Sequence, residues 1–368
     1  MEHTIVWDSF GLQSRFSGVG RHAFELNRAL ANRGFIPHIL PSHPKLDPAF
    51  AKQLALAPSP WQADWMRFKP FSLWRASRQL NDLGEVRRGV IHGLSNFNLP
   101  TTNSRWPWRK VLTVHDMIPF LEPRVVSQNL STFLRWQMPR ALKRADFVIC
   151  VSRWTEESLL TLFPEVRGRT RLVPNGLEAS SSLTPISLSR AEKDSQGSNR
   201  RLLTISRDET YKRLTWVGQL LAMLPHSFSW DVVTDAGGAK RLGQDFGHLA
   251  ERLRIHQQIS DNELQALHDH SDVYVHPSLW EGYCLPAAQA IQSGVPVLYV
   301  QGSGIDETVG EAGQGMSRSS SIQQWVDTII DMTQTTFDWK KACQSRCLTF
   351  ATWDEVAART LQVYDILE

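Results

Sequence analysis

Short apolar runs alternate along the chain with longer segments whose apolar residues recur every three or four positions, the periods of buried strands and of amphipathic helices. The first run, Thr4 to Trp7, leads into Ser17-Gly18-Val19-Gly20-Arg21 and then a helical pattern with Phe24, Leu26, Ala29 and Leu30 that stops at Gly34. The next run, Phe35 to Leu40, reads as a second strand, which makes the opening segment a βαβ unit. Gly89 to His92, Lys110 to Val114 and Phe147 to Val151 are further strands. Each is short, apolar and followed by polar or turn residues, as strands covered on both faces of a parallel sheet should be.

The pattern breaks from Ala179 to Arg200, a polar, serine-rich stretch with no period that reads as a linker or surface loop. A second series follows, with strands at Arg201 to Ile205, Ser229 to Val233, Val273 to His276 and Pro296 to Val300. Helices fall between them, for example Asp261 to His270 and Pro286 to Ser293. The last segment, Thr352 to Leu367, carries Val356, Leu361, Val363 and Tyr364 and predicts a terminal helix crossing back to the first half. The expected fold is α/β, with two Rossmann-like domains facing a central cleft. One would be residues 1–180 plus 352–368, the other residues 201–351, joined through 181–200. Ligands of open parallel sheets bind beyond the carboxyl ends of the strands, so the cleft is the expected site.

Composition narrows the classes. A chain of 368 residues exceeds what one core usually serves. A net charge of +3 argues against a nucleic-acid binder that works by neutralising phosphates. The four cysteines, Cys150, Cys284, Cys343 and Cys347, form no CxxC pair and no zinc-ligand pattern, so they read as thiols in a reducing cytoplasm. The N-terminus lacks the basic and apolar regions of a signal peptide, and no apolar run is long enough to span a bilayer.

The strongest chemical signal is Ser278-Leu-Trp-Glu-Gly-Tyr-Cys-Leu-Pro-Ala-Ala-Gln-Ala290. It follows a strand and opens a helix, with Pro286 suited to the first turn and Gly294 to the position after the last. Free backbone N–H groups at such a helix start, here at Cys284 and Leu285, favour an anion. Glu281 stands just before them, placed to accept hydrogen bonds from hydroxyls. The plainer reading is an ordinary strand-to-helix turn with a solvated glutamate. A second signal weakens it: Arg207 and Lys212 lie beyond the strand that opens the second series, where two cations make a diphosphate clamp. Preorganised donors there would also stabilise a departing diphosphate, each worth roughly 3 kcal/mol of barrier.

In this order the segments resemble the retaining glycosyltransferases of GT-B architecture, specifically family four (glycosyltransferase group 1), with its bacterial polysaccharide mannosyltransferases. The resemblance runs along nearly the whole chain. Phe16 to Arg21 is similar to the family's glycine loop, Val111 to Pro119 to its His-Asp segment, and Ala145 to Ser152 with Val173 to Gly176 to the end of its first lobe. Arg207 with Lys212, Ile259 to Leu264, Ser271 to Ser278 and the Glu281 segment are similar to its second lobe. The resemblance implies that Glu281 binds hydroxyls of the transferred sugar and that Arg207 and Lys212 hold the diphosphate. It also implies that His115 contacts the donor sugar, and that Gly18 and Gly20 admit a close backbone approach. The donor would be an NDP-sugar, GDP-mannose by mild preference or a UDP-sugar, with no metal and no other cofactor. The acceptor would be a glycan or lipid-linked saccharide whose hydroxyl attacks the donor sugar from the front face, entering near Gly18 to Arg21 and the Asn96 to Pro100 loop.

Three positions depart from the family pattern. Gln289 stands where a second glutamate usually grips the ribose diol, and an amide offers one acceptor oxygen in place of a carboxylate. Cys284 replaces a frequent glycine beside the phosphates, and Ser206 replaces the glycine before Arg207. Two rival functions share the architecture: an NDP-sugar epimerase, and a non-catalytic nucleotide-sugar or partner binder. A plain NAD-binding protein fits less well, because no full GxGxxG follows the first strand. The Trp-rich basic stretch from Trp61 to Arg88 and the cluster Arg105 to Lys110 are either packed on the first domain or seat the chain peripherally on an anionic membrane.

Overall fold

The computed structural model describes residues 4–8, 12, 17–40, 50, 52–57, 89–99, 108–125, 128–178 and 199–365. The Trp-rich stretch 61–88, residues 105–107 and the segment 181–198 lie outside the described residues. The chain divides into two compact units, Met1–Gly176 with Ala351–Glu368, and Leu177–Phe350.

The first unit holds β1 (Thr4–Asp8), α1 (Gly18–Asn32), β2 (His38–Leu40), β3 (Gly89–Gly93), β4 (Trp108–Val114), α2 (Ile118–Leu121), α3 (Gln128–Arg144), β5 (Phe147–Cys150), α4 (Arg153–Leu162) and β6 (Thr170–Leu172). Its strands form one six-stranded sheet in the order β2-β1-β3-β4-β5-β6, and every pairing is parallel. The second unit holds β7 (Arg200–Ile205), α5 (Leu214–Met223), β8 (Phe228–Val233), α6 (Ala236–Phe246), β9 (Leu253–His256), α7 (Asp261–Asp269), β10 (Val273–His276), α8 (Leu285–Gln292), β11 (Val297–Val300), α9 (Ile305–Val309), β12 (Gly313–Met316), α10 (Ile322–Gln334) and α11 (Trp339–Cys347). Its sheet is also wholly parallel, in the order β12-β11-β10-β7-β8-β9. That is the doubly wound Rossmann order.

The period-two alternation of strands builds the core of the second unit in two layers. Leu202, Val273, Val275, Leu298 and Val300 join one apolar cluster with Trp230 and Trp325. Their neighbours Leu203, Tyr274, Val297 and Tyr299 join another with Ala287, Ala290 and Ile291 of α8. His276, two residues after Tyr274, therefore faces α8. Side-chain caps fix the helix starts. Ser260 with Glu263 and Ser321 with Gln324 close capping boxes at α7 and α10.

The last helix, α12 (Trp353–Tyr364), belongs to the first unit, as the sequence pattern predicts. It starts on a capping box of Thr352 and Glu355. Arg33 pairs with Asp354 at 2.7 Å, and the Trp7 indole donates to the Tyr364 hydroxyl at 3.2 Å. Trp353 backbone approaches Gly176 so closely that a Cβ there would lie 2.7 Å from the Trp353 nitrogen. Elsewhere the pattern and the structure differ in detail. The second strand is only His38–Leu40, and β6, β9 and β12 are strands that the apolar runs do not announce. Gly18 and Gly20 lie inside the first turn of α1, whose cap Ser17 accepts from the Gly20 amide at 2.9 Å, and not in a loop ahead of it.

Candidate functional site

In the second sheet the strand order reverses between β7 and β10, the place where doubly wound sheets open a crevice at their carboxyl ends. A cluster of polar side chains occupies it. Lys212, in the turn between β7 and α5, points its Nζ at Glu281 Oε1, 2.6 Å away. His276, the last residue of β10, brings Nε2 to the same oxygen, also at 2.6 Å. The Tyr274 hydroxyl lies 3.2 Å from His276 Nδ1 and 3.3 Å from the Ile205 carbonyl. Cys284 Sγ lies 3.6 Å from His276 Nε2. Among the described residues, both side-chain donors to Glu281 converge on Oε1.

The local backbone explains why Glu281 is held there. Its amide donates to Ser303 Oγ at 3.2 Å, and its carbonyl accepts from the Gly304 amide at 2.9 Å. A Cβ at position 304 would sit 1.9 Å from the Gly282 carbonyl oxygen, so only glycine lets this loop close on the Glu281 turn. Cys284 caps α8 with φ of 71°, in the left-handed region that glycine favours.

Electrostatics keep the pair charged. Burial alone would push the Lys212 ammonium down, but the Glu281 carboxylate and its hydrogen bond hold it well above its usual value. Burial likewise opposes the Glu281 charge, and Lys212 and His276 outweigh it and hold the carboxyl well below its usual range. Burial first, and then the Glu281 charge, push the Cys284 thiol up, which favours its protonated form. His276, Glu281 and Cys284 put three ligand-type atoms within 4.8 Å of one another. A divalent ion there would share the Glu281 carboxylate with the Lys212 ammonium. At a separation of about 4 Å the two cations would repel by roughly 8 kcal/mol, taking an effective dielectric constant of about 20.

Other predicted residues are placed differently. Arg207 is exposed and paired with Glu209 at 2.9 Å, while Lys212 is turned onto Glu281. Leu285 is the buried first residue of α8, and Gln289 lies further along it, half-buried. His115, Gly18 and Gly20 belong to the first unit. His115 follows β4; its amide donates to Asn96 Oδ1 at 2.7 Å, and its Nε2 lies 2.9 Å from the Leu94 carbonyl. Its ring meets His22 edge-on, with centroids 5.0 Å apart. Burial, and then repulsion from His22, lower His115 to about 3, so it is a neutral imidazole at physiological pH.

His276 and Tyr274 were not singled out by the sequence pattern. The signal that could have found them is period two: His276 shares a face with Tyr274, at the carboxyl end of a strand, five residues before Glu281.

Residues 16–181 match the model described as Glycosyltransferase Family 4, and residues 188–341 match Glycosyl transferases group 1. O-antigen chain mannosyltransferase B of Escherichia coli is 23% identical, covering 99% of this chain and all of that protein. Sucrose-phosphate synthase from Thermosynechococcus elongatus superposes with a TM-score of 0.77 at 19% identity, over 99% of this chain and 98% of that one. Anabaena HepE in complex with UDP-glucose gives 0.72 at 18% identity, over 98% of this chain and 100% of that one. Two doubly wound sheets, with family matches falling one on each, leave one assignment: the chain belongs to the group 1 glycosyltransferases of GT-B architecture and is mannosyltransferase-like.

Proposed function

We propose that the chain transfers a hexosyl unit, with mannose preferred, from an NDP-sugar to a hydroxyl of a glycan or lipid-linked acceptor, with retention of configuration and without a metal. The observation that carries this reading is the Lys212–Glu281–His276 arrangement. Two donors on Oε1 leave Oε2 as the acceptor for hydroxyls of the bound sugar. Lys212 keeps further N–H donors for a diphosphate oxygen, and its charge does the work a metal does elsewhere. The amides at the start of α8 face the same anion. Arg207 would leave Glu209 to complete the clamp.

In the transfer the bond from the anomeric carbon to the diphosphate oxygen breaks as the acceptor hydroxyl attacks from the same face. The hydroxyl proton passes to the departing phosphate oxygen. The donor precedent is HepE, solved with UDP-glucose; the mannose preference follows the Escherichia coli relative.

A thermal-shift panel of GDP- and UDP-sugars tests donor binding, since a ligand bound only by the folded chain raises its melting temperature. The expected result is a shift with one NDP-sugar that Lys212→Met abolishes. No shift with any of them, or an undiminished shift in the variant, refutes the assignment. NMR of the product's anomeric proton decides retention.

A further inference from the structure

His115 is held at its ring, its amide and its carbonyl. Its Nε2 lies 2.9 Å from the Leu94 carbonyl, which can only accept, so the ring proton sits on that nitrogen. Its amide donates to Asn96 Oδ1 at 2.7 Å, and its carbonyl accepts from Thr155 Oγ1 at 3.2 Å. Leu94 and Asn96 belong to the turn after β3, and Thr155 to the first turn of α4. Two separate parts of the first unit thus converge on one residue beyond the end of β4.

Each anchor is itself fixed. Asn96 Nδ2 donates to the Asp116 carbonyl at 2.9 Å, so one carboxamide, with its donor and acceptor side by side, spans the backbone of His115 and Asp116. The residues after it turn inward: Phe97 and Leu99 join the main apolar cluster, and Asn98 donates to the buried Asp8 carboxylate. Ser152, the cap of α4, donates its hydroxyl to Thr155 Oγ1 at 2.9 Å and accepts from the Thr155 amide at 3.0 Å. Having taken that proton, the Thr155 hydroxyl gives its own to the His115 carbonyl. Asp116 closes the segment, since its Oδ1 accepts from the Ile118 amide at 3.0 Å where α2 begins.

We propose that Asn96 and Thr155 are positioning residues that aim the His115 imidazole at the donor sugar. This rests on the reading of the chain as a glycosyltransferase whose His115 meets that sugar, and it adds the groups that hold the ring in place. A site residue on a loop is precise only when its backbone is locked by its surroundings. Misplacement by about 1 Å can cost roughly a hundredfold in rate. Neither Asn96 nor Thr155 touches the reacting atoms. The turn from Asn96 to Leu99 is then scaffold for His115, with both ends of the Asn96 carboxamide engaged on backbone, and not a surface that binds the acceptor.

Two measurements on the full chain test it. The first needs no sugar: the His115 amide should exchange its hydrogen roughly tenfold faster in Asn96→Ala, the effect of one lost hydrogen bond. Unchanged exchange overturns the proposal. The second is a double-mutant cycle on the release of nucleoside diphosphate from GDP-mannose and from UDP-glucose. Asn96→Ala should lower kcat by about 10- to 100-fold with the donor KM near wild type. Thr155→Val should lower it less, with Thr155→Ser recovering most of that loss. In a His115→Ala background neither change should cost anything further, because both act through that ring. Losses that multiply in full would place Asn96 and Thr155 on a ligand directly and overturn the proposal. Where Asn96→Ala unfolds, the Thr155 variants complete the cycle. Wild-type turnover in His115→Ala, or no release from either donor by the wild type, overturns instead the reading on which the proposal rests.

Discussion

The two units solve the same topological problem with opposite chemistry. Each parallel sheet reverses its strand order once, between β1 and β3 in the first and between β7 and β10 in the second. In the second unit the crevice holds a buried ion pair, Lys212 with Glu281, steadied by His276. In the first, the polar groups at that place are spent on the chain's own backbone and side chains. Asp8 accepts from the Leu94 amide at 2.7 Å and from the Asn98 side chain, and His115 meets the Leu94 carbonyl. Behind them His92 bridges the Tyr364 hydroxyl at 2.6 Å and Thr113 Oγ1 at 2.7 Å. Topology fixes where a doubly wound unit can bind; a few side chains decide whether the polar groups there form a buried ion pair or are tied to the chain's own backbone.

The largest test of that contrast is Lys212→Ala. It strips the ammonium from a carboxylate whose side chain is only 11% exposed. Breaking a buried pair on one side costs about 3 to 5 kcal/mol, so the melting temperature of the second unit should fall. Turnover should fall further, by about a hundredfold or more, as it does when a preorganised donor is lost. The double variant Lys212→Met with Glu281→Gln separates the two effects: it should recover stability and stay inactive. Activity in the double variant would mean that the charge is structural.

Acid distinguishes the units next. Burial lowers His22 to about 4 and, with repulsion from His22, His115 to about 3; His92 is also held well below its usual value. All three lie in the first unit. An unfolded histidine binds its proton near pH 6.5. Between that pH and about 4 the unfolded chain therefore binds more protons, and stability falls as pH falls. At about pH 5 each such histidine removes on the order of 2 kcal/mol. The second unit has one counterpart, His268, lowered to about 4 by burial. Its Glu281 contribution persists until pH drops below the unfolded carboxylate range, because that carboxyl is held low. Hydrogen exchange at about pH 5 should show the first unit losing protection before the second; simultaneous or reversed loss would contradict the assignment.

Much of this contrast was visible in the sequence, and the part that was not has physical reasons. Apolar runs revealed the strands that are buried on both faces, and the Glu281 segment revealed a strand-to-helix turn. Edge strands such as β12, Gly-Gln-Gly-Met, carry no apolar run to betray them. Gly18 and Gly20 read as a loop because glycine is costly inside a helix, yet Ser17 caps there and makes them the first turn. The partner of Lys212 was hidden, because Glu281 lies 69 residues away and only the β7–β10 pairing brings them together. The same holds for His115, which burial lowers first and His22, from a distant helix, lowers further.

His276→Phe has a smaller expected effect and asks whether the second crevice needs both donors. It removes one hydrogen bond to a charged oxygen, worth about 1.5 to 3 kcal/mol. The expectation is a fall in kcat/KM of roughly 10- to 100-fold, with His276→Gln recovering part of it. Phe in place of His115 should leave donor affinity nearer to wild type, since that ring is neutral and tied to Leu94. Equal losses from both would erase the distinction between a crevice built on a buried ion pair and one whose polar groups are tied to backbone.

The smallest effect is expected at Cys284. Its φ of 71° places a side chain in a conformation that costs a non-glycine residue roughly 1 kcal/mol. Cys284→Gly relieves that strain and loses the packing of a buried sulfur against His276. The two terms are of similar size, so melting temperature should move by no more than a few degrees. Function is the sharper readout. The thiol is held protonated and uncharged beside the Lys212–Glu281 pair, so removing it should leave the pair ionised and the pH dependence of turnover unchanged. An altered pH profile in Cys284→Gly would show that the sulfur takes part in the charge balance of the crevice, and the second unit would then owe its character to four side chains and not three.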